Sequence, residues 1–452
     1  MKIVIMGAGR VGRELARVLS FRTNDVVVID MDELRLRELR EGLDIMTFVG
    51  NGASPHVLKQ VGIEKAEMLL AVSNNSEANI ISCSLAKQFD VPLKIARMRR
   101  RDHFLDVPGM DAATFGVDHA IIPEYECASD ITNAIMNPAV LERVTFSSSG
   151  DQISNFQLRP GSPLVGSRMS KFPRPELLEK LRICAIMRHG HLHIPRGNTS
   201  FIAFDEVYVA GSQDDVADLI DWASPHDRSI SGVIIGGATP LGCMLAQMLS
   251  VVDYPVRIIE SDPHAAESAA DALGSQVVII KGESTDRAIL EEAGIDHHHA
   301  YVAAHGDNEK NILSCILAKR CDAVKVIAVT KIPEYIRIIA SMSMIDCCFS
   351  PLVASINMLL KFVSSETGRN IAIFNRIPAE VIEMSVEEKS RVAGQRISET
   401  KCPPDAVFAA IIRDDQLVPA VGSEELLPGD RVIMLSKTEA VAQAETLFRV
   451  HA

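Results

Sequence analysis

The sequence predicts an α/β protein in which two tandem parallel-sheet units are each followed by a smaller α+β unit. Three observations carry that reading. Short apolar runs alternate with amphipathic stretches, a glycine turn follows the first run, and the whole pattern recurs in the second half of the 452 residues. Continuous apolar strands separated by helices indicate a parallel sheet covered on both faces.

In the first half the strands fall at Ile3–Met6, Val26–Ile29, Ile45–Val49, Met68–Val72, Lys94–Ala96 and Ala120–Ile122. The stretch "IVIMGAGRVGRELARVLS" (Ile3 to Ser20) reads as strand, turn and helix, and "VIIGGATPLGCMLAQMLS" (Val233 to Ser250) repeats it. Aligning Gly12 with Gly242 also places Asp30 on Glu260. Further on, Gly62–Lys87 matches Gly294–Lys319 without a gap, and "VDHAIIP" recurs as "IDCCFSP". Six such strands with a glycine turn after the first describe a Rossmann unit, present here twice.

A second duplication follows each unit: Ile183–Gly211 pairs with Phe408–Ser436. Each copy has an apolar run, a two-residue polar tip (His189-Gly190, Asp414-Asp415), a return strand and an acidic turn before a last strand. Glycine at a hairpin tip supplies positive φ. The expected division is 1–125 for the first nucleotide-binding unit, 126–225 for a crossover helix and small unit, 231–352 for the second Rossmann unit, and 353–452 for its helix and small unit. The seam falls in "SPHDRSISG", Ser224 to Gly232, where proline, serine and charge cluster.

Composition narrows the function. Forty-six Lys plus Arg against 59 Asp plus Glu give a net charge of −13, which argues against nucleic acid and anionic lipid as partners. The chain opens on a strand with no basic and apolar leader pattern, so no secretory signal is expected. No apolar run approaches the ~20 residues a spanning helix needs. Nine cysteines with no C-x-x-C pair fit a reducing cytoplasm, and Cys347-Cys348 reads as a buried strand pair.

Gly7-Ala8-Gly9-Arg10-Val11-Gly12 has a definite set of tasks. Gly7 lets the strand turn sharply, Gly9 clears the path of a pyrophosphate to the backbone, and Gly12 allows close packing of the helix. The helix N-terminus offers N–H groups and partial positive charge to the anion. Asp30, 18 residues beyond Gly12, can accept from ribose hydroxyls and repels a 2′-phosphate, which favours NAD or an adenine nucleotide over NADP. A turn that merely packs is the competing reading. Arg10 stands near the phosphates or is simply an exposed helix-start arginine. Later strand ends meet the same crevice at Asn51-Gly52, Ser73-Asn74 and "ARMRRRD", where Arg97 and Arg100 are candidate contacts. A solvated turn or a salt-bridge patch is the alternative for those arginines.

In the second copy the turn is Gly237-Ala238-Thr239-Pro240-Leu241-Gly242. Thr239 puts a side chain where the middle glycine stood, and Pro240 removes an N–H. Glu260 is kept, while the arginine run gives way to "AVTKIPE" with Lys331. Weaker, altered or absent nucleotide binding is expected there. His297-His298-His299 reads as a solvated loop, since adjacent residues cannot all face one ion, and His189, His191 and His193 read as edge-strand polarity.

The motif set "GAGRVG" with Asp30, "GNGAS", "AVSNNSEANIISCSLAK" and "AIMRHGHLHIP" resembles the RCK family, the regulators of K⁺ conductance. The resemblance spans essentially the whole chain, with two complete RCK units. It implies N-type subdomains that bind NAD(H) or ATP/ADP, and self-association into a ring, expected to be a homotetramer. The ring would lie on the cytoplasmic face beneath a membrane-embedded potassium-translocating subunit. The departure at Thr239-Pro240 leaves the second site's occupancy open. A dehydrogenase would instead need a proton-transfer group beside the nicotinamide, and the two small units share no such candidate. A purely structural duplication would bind no nucleotide. Ligand-gated regulation without catalysis, and without a metal, is the expected function.

Overall fold

The computed structural model describes residues 1–20, 25–99, 111–146, 150–224, 230–296, 299–341, 344–367, 371–374, 377 and 379–448. The chain separates into two compact units, one of residues 1–128 with 351–360, the other of 129–350 with 361–452.

The first unit is built on the strands β1 (Lys2–Met6), β2 (Asp25–Asp30), β3 (Met46–Val49), β4 (Met68–Ala71), β5 (Leu93–Arg97) and β6 (His119–Ile121). They form one sheet in the order β3-β2-β1-β4-β5-β6. The pairings are parallel. The helices α1 (Arg10–Ser20), α2 (Glu33–Gly42), α3 (Pro55–Gln60) and α4 (Ser76–Gln88) connect them, and α5 (Pro123–Met136) leads the chain onward. β1, β2 and β4 are buried along almost their whole length, as expected of strands covered on both faces. Strand order reverses between β1 and β4, which opens a crevice at the carboxyl ends of the strands.

In the second unit, β7 (Val140–Thr145), β8 (Gln152–Gln157), β9 (Arg182–Arg188), β10 (His191–His193) and β11 (Glu206–Gly211) form an antiparallel sheet, followed by α6 (Gln213–Ala223). A second parallel sheet follows: β12 (Gly232–Gly236), β13 (Val256–Glu260), β14 (Val277–Lys281), β15 (His299–Ala303), β16 (Lys325–Val329) and β17 (Cys347–Phe349). Its order, β14-β13-β12-β15-β16-β17, repeats that of the first. Its helices are α7 (Pro240–Val251), α8 (Pro263–Leu273), α9 (Arg287–Glu292), α10 (Asn308–Arg320) and α11 (Pro333–Ser341). After α12 (Pro351–Thr367) come β18 (Ile371–Ile373), β19 (Ala379–Ser385), β20 (Ala406–Arg413), β21 (Gln416–Pro419), β22 (Arg431–Lys437) and α13 (Val441–Thr446).

The two antiparallel sheets share one core, in which Ile153, Ala185 and Tyr208 pack with Val381, Ala409 and Leu435. The rings of Tyr208 and Phe374 meet edge-on at 5.2 Å. Each sheet has a separate core on its other face. Both hairpin tips hold two left-handed residues, His189 (φ 49°) with Gly190 (78°) and Asp414 (51°) with Asp415 (58°). Glycine is therefore used at one of the four positions; aspartate tolerates the same region. Cys347 and Cys348 are buried in β17. His299 corrects the loop reading: it is the first residue of β15, with its ring bonded to Asp296, while His297 and His298 lie outside the described residues.

Lys325 shows how the second parallel sheet and the preceding segment are joined. Its ammonium is buried and donates to the carbonyls of Ala134 (2.8 Å), Pro138 (3.0 Å) and Val140 (3.1 Å). The carbonyl of Ala134 would ordinarily accept from residue 138, but that residue is a proline with no N–H. Lys325 supplies the missing donor at the C-terminal end of α5, where the helix dipole favours a cation. Lys325→Met is expected to remove a donor shared by three carbonyls and to cost about 2–4 kcal/mol, read as a lower urea midpoint for the transition of this unit.

Candidate functional site

The first glycine turn joins β1 to α1. Gly7 has φ +107°, and a Cβ there would come within 2.9 Å of the Ser73 backbone. A Cβ on Gly12 would collide with the carbonyl oxygen of Gly7. The need for glycine at Gly12 therefore comes first from the turn itself rather than from the sheet. Gly9 is different: no heavy atom lies within 4 Å of where its Cβ would be, so this glycine keeps space open. Ala8 and Val11 are buried and contribute backbone, while Arg10 is exposed at the start of α1.

Asp30 ends β2 and ties down the turn. Its Oδ2 accepts from Ala8 N–H at 2.6 Å and its Oδ1 from Asp32 N–H at 2.9 Å. Each carboxylate oxygen retains a further lone pair, so a ribose hydroxyl could still donate to it. Asn51 is exposed and folds back locally, accepting from Ala53 N–H at 2.9 Å. Gly52 is buried because the side chain of Met6 occupies the space of its Cβ, with Met6 Sδ at 2.9 Å. Ser73 and Asn74 follow β4, and Arg97 ends β5 with Nη1 donating to Asn74 Oδ1 at 2.7 Å. Burial pulls the Arg97 pKa down against the influence of Glu124, with Arg99 adding to the depression, and its Nε finds no partner among the described residues. The candidates from β1 to β5 thus gather at one edge of the sheet. Arg100 lies outside the described residues.

Asn79, which sequence reasoning did not single out, frames this edge. Fully buried on α4, it accepts from Ser73 N–H (3.1 Å) and donates to the carbonyls of Ser73 (3.0 Å) and Arg97 (2.8 Å), clamping the ends of β4 and β5 together. Asn311 does the same in the second copy, bonded to His305 and to the Val329 carbonyl. The signal was present, since the two asparagines occupy matching places in the gapless repeat.

The second turn keeps the same acid. Glu260 accepts from Ala238 N–H at 2.7 Å and from Asp262 N–H at 2.9 Å. Gly237 again has positive φ, +105°, and a Cβ on Gly242 would strike the carbonyl of Gly237. Thr239, however, caps α7. Its hydroxyl accepts from Gly242 N–H at 3.2 Å and donates to the Ala304 carbonyl at 2.7 Å. A threonine cap is worth about 1 kcal/mol to a helix and uses up a free N–H that an anion would otherwise meet. The first turn has glycine in this place and no side chain to do so. Lys331 turns its ammonium to the Gly306 carbonyl at 3.0 Å.

The second crevice also holds more side chain. A Cβ on Gly236 would strike the hydroxyl of Tyr301, and one on Gly237 would lie 2.9 Å from the His305 ring. His305 Nε2 lies 2.6 Å from the hydroxyl of the fully buried Ser284. Burial, reinforced by Lys310, lowers the His305 pKa to about 4. Among the described residues no group of His, Cys, Asp and Glu is placed to hold a metal.

This arrangement coincides with a sequence family. The model of the TrkA-N domain matches residues 3–123 and again 233–351, and that of the TrkA-C domain matches 153–224 and 381–449. The chain belongs to the TrkA family. It is similar to the Trk system potassium uptake protein TrkA of Vibrio alginolyticus, 31% identical with 99% of each chain covered. The protein of the same name from Halomonas elongata is 33% identical, with 100% of this chain and 99% of that one covered. The fold also resembles that of a solved structure described as the GsuK channel bound to NAD, with a TM-score of 0.57 and 19% identity over 99% of this chain and 78% of the other. Tandem Rossmann-like parallel sheets, each followed by an antiparallel sheet, are thus the TrkA-type arrangement of this chain.

The His305 pKa makes a prediction about stability. Its ordinary value is 6.5 and its value in the fold about 4. Between those pH values the unfolded chain binds the proton and the folded chain does not, so stability falls as pH drops from about 6.5 toward about 4. About 2 kcal/mol is expected to be lost, after allowance for partial exposure. Urea midpoints measured across this range should show that slope in the natural chain and a flatter one in His305→Gln.

Proposed function

We propose that the chain is the nucleotide-sensing regulatory subunit of a potassium uptake system, and that it performs no chemistry itself. In this reading NAD(H), or alternatively ATP/ADP, lies in the first crevice. Gly7, Ala8, Gly9, Arg10, Val11 and Gly12 face its phosphates, Asp30 its ribose, and Asn51, Gly52, Ser73, Asn74, Arg97 and Arg100 border it. The single observation that carries the proposal is the open space at Gly9 beside an acid that already fixes the turn. A cradle kept clear at Gly9, where the second copy has the capping Thr239, is suited to an anion. The names of the full-length relatives supply the potassium system, and the NAD-bound channel of the same fold supplies the precedent for the ligand.

The second crevice, with Gly237, Ala238, Gly242 and Glu260, is the weaker site in this proposal because Thr239 and His305 fill it. Such inequality suits sensing, in which a ligand shifts a conformational equilibrium by as much as it prefers one state. The chain would act from the cytoplasmic side, peripheral to the cell membrane, against a membrane-embedded Trk-type potassium-translocating subunit, as a homotetrameric ring. No helix among the described residues is long and apolar enough to cross a membrane. An NAD-dependent oxidoreductase is the rival. His305 with Ser284 is the pair it would recruit, but Ser284 is fully buried and bonded to the histidine ring within the second crevice.

Gly9→Val tests the site. The new Cβ meets no protein atom within 4 Å, so folding should change by about 1 kcal/mol. NADH affinity should fall at least ~10-fold by calorimetry, about 1.4 kcal/mol. Unchanged affinity for NADH, NAD⁺, ATP and ADP alike would place the ligand elsewhere. Sedimentation of the natural chain is expected to give four copies per particle, and a monomer would contradict the ring.

A further inference from the structure

The duplicated small units act as internal controls for one another. In the first, Arg188 at the end of β9 makes a paired bond to Asp205, Nε to Oδ1 and Nη2 to Oδ2, both at 2.7 Å. In the second, Arg413 at the end of β20 makes the same pair with Asp430 at 2.8 Å. Both pairs are separated by 17 residues. Both aspartates are almost wholly buried, at 1% and 2% exposure. Each arginine also donates through Nη2 to a loop carbonyl, that of Ser200 or of Glu425. The loops correspond in detail: Thr199 N–H donates to Arg196 O at 2.8 Å, and Glu424 N–H to Val421 O at 3.0 Å.

At the third edge of the guanidinium the copies diverge. Arg413 Nη1 meets the carboxylate of Glu424 at 2.8 Å, so two acids surround that arginine. In the first copy Thr199 stands where Glu424 does, and no partner for Arg188 Nη1 occurs among the described residues. Two further changes add polar groups, one of them a cation. His193 replaces Val418, and Arg196 replaces Val421. These residues do not simply disperse into solvent. Arg188, His193, Arg196 and Thr199 line one cavity of about 390 Å³, with Ile186 and Ile194 as its apolar wall. One copy therefore surrounds its arginine with two acids, while the other pairs it with Asp205 alone and adds the cation of Arg196 to the same cavity.

We propose that this cavity in the first small unit is a binding site for a small organic or inorganic oxyanion, whose carboxylate or phosphate oxygens take the place of the Glu424 carboxylate. The remaining Nη1 of Arg188 can donate to one such oxygen, and the exposed guanidinium of Arg196 supplies a second charge-assisted donor. The histidines of "HGHLH" thereby gain a use beyond edge polarity: β10 is the edge strand, His193 is exposed on it, and it faces the cavity. The site is separate from the nucleotide crevice and does not depend on it.

The test adds succinate or orthophosphate, as carboxylate and phosphate arms, to the full chain and to variants while thermal midpoints are followed. At least one anion should raise the natural chain's midpoint, by about 2–4 °C near saturation. Thr199→Glu should raise the midpoint without anion and abolish the response, whereas Glu424→Thr combined with Val421→Arg should create a second one. Arg196→Ala, which removes no buried contact, should weaken the anion's affinity by at least ~10-fold, for loss of one charge-assisted bond. The proposal is overturned if neither anion stabilises the natural chain. It is equally overturned if Thr199→Glu and Arg196→Ala both respond as the natural chain does, because the anion would then occupy the glycine cradle or another place.

Discussion

The acid at the end of the second strand is the constraint on which both crevices depend. Asp30 and Glu260 each accept from the backbone two residues beyond themselves and from the alanine within the glycine turn. An unpaired N–H in that turn would cost about 1–3 kcal/mol, so the acid is part of the fold before any ligand arrives. That explains why the second copy keeps its acid although the rest of its crevice has changed. Retention of the acid is therefore weak evidence for a nucleotide, and the space left at Gly9 is the better indicator.

The second parallel sheet diverged by exchanging volumes. In the first copy Met6 fills the space beside Gly52, so a side chain at 52 is forbidden. In the second, strand β12 ends in Gly236, and the vacated volume is taken up by Tyr301 and His305, with Ser284 bonded to the histidine ring. Close packing makes such changes concerted, since a lone enlargement would strain its neighbours and a lone reduction would leave a cavity. The antiparallel units diverged differently. Their shared core stayed apolar, while the surroundings of a duplicated Arg–Asp pair changed sign. In both cases duplication supplies the comparison that reveals which differences bear on ligands.

Much of the architecture could be read from the residues. Gapless repetition and short apolar runs give the two parallel sheets, and the polar tips give the hairpins, because strand alternation and turn chemistry are local properties. Asp30 at its proper distance from Gly12 was equally legible. Less legible was the reason for each glycine. Gly7 is required by its positive φ and the Ser73 backbone, Gly12 by the Gly7 carbonyl inside the turn, Gly52 by Met6, and Gly9 by nothing in the protein itself. A sequence registers glycine in all four positions alike.

The order of residues by itself determined the duplication, the parallel sheets and the difference between an intact and an altered glycine turn, because periodicity, turn propensity and side-chain bulk act over a few neighbouring residues. Tertiary structure alone decided which polar groups meet. The clamp of Asn79 across two strand ends, Lys325 answering a carbonyl that Pro138 cannot, and the pairing of Arg188 with Asp205 each join segments separated in the chain. Hydrogen bonds and ion pairs form between atoms about 3 Å apart, and that proximity exists only after the sheets have closed.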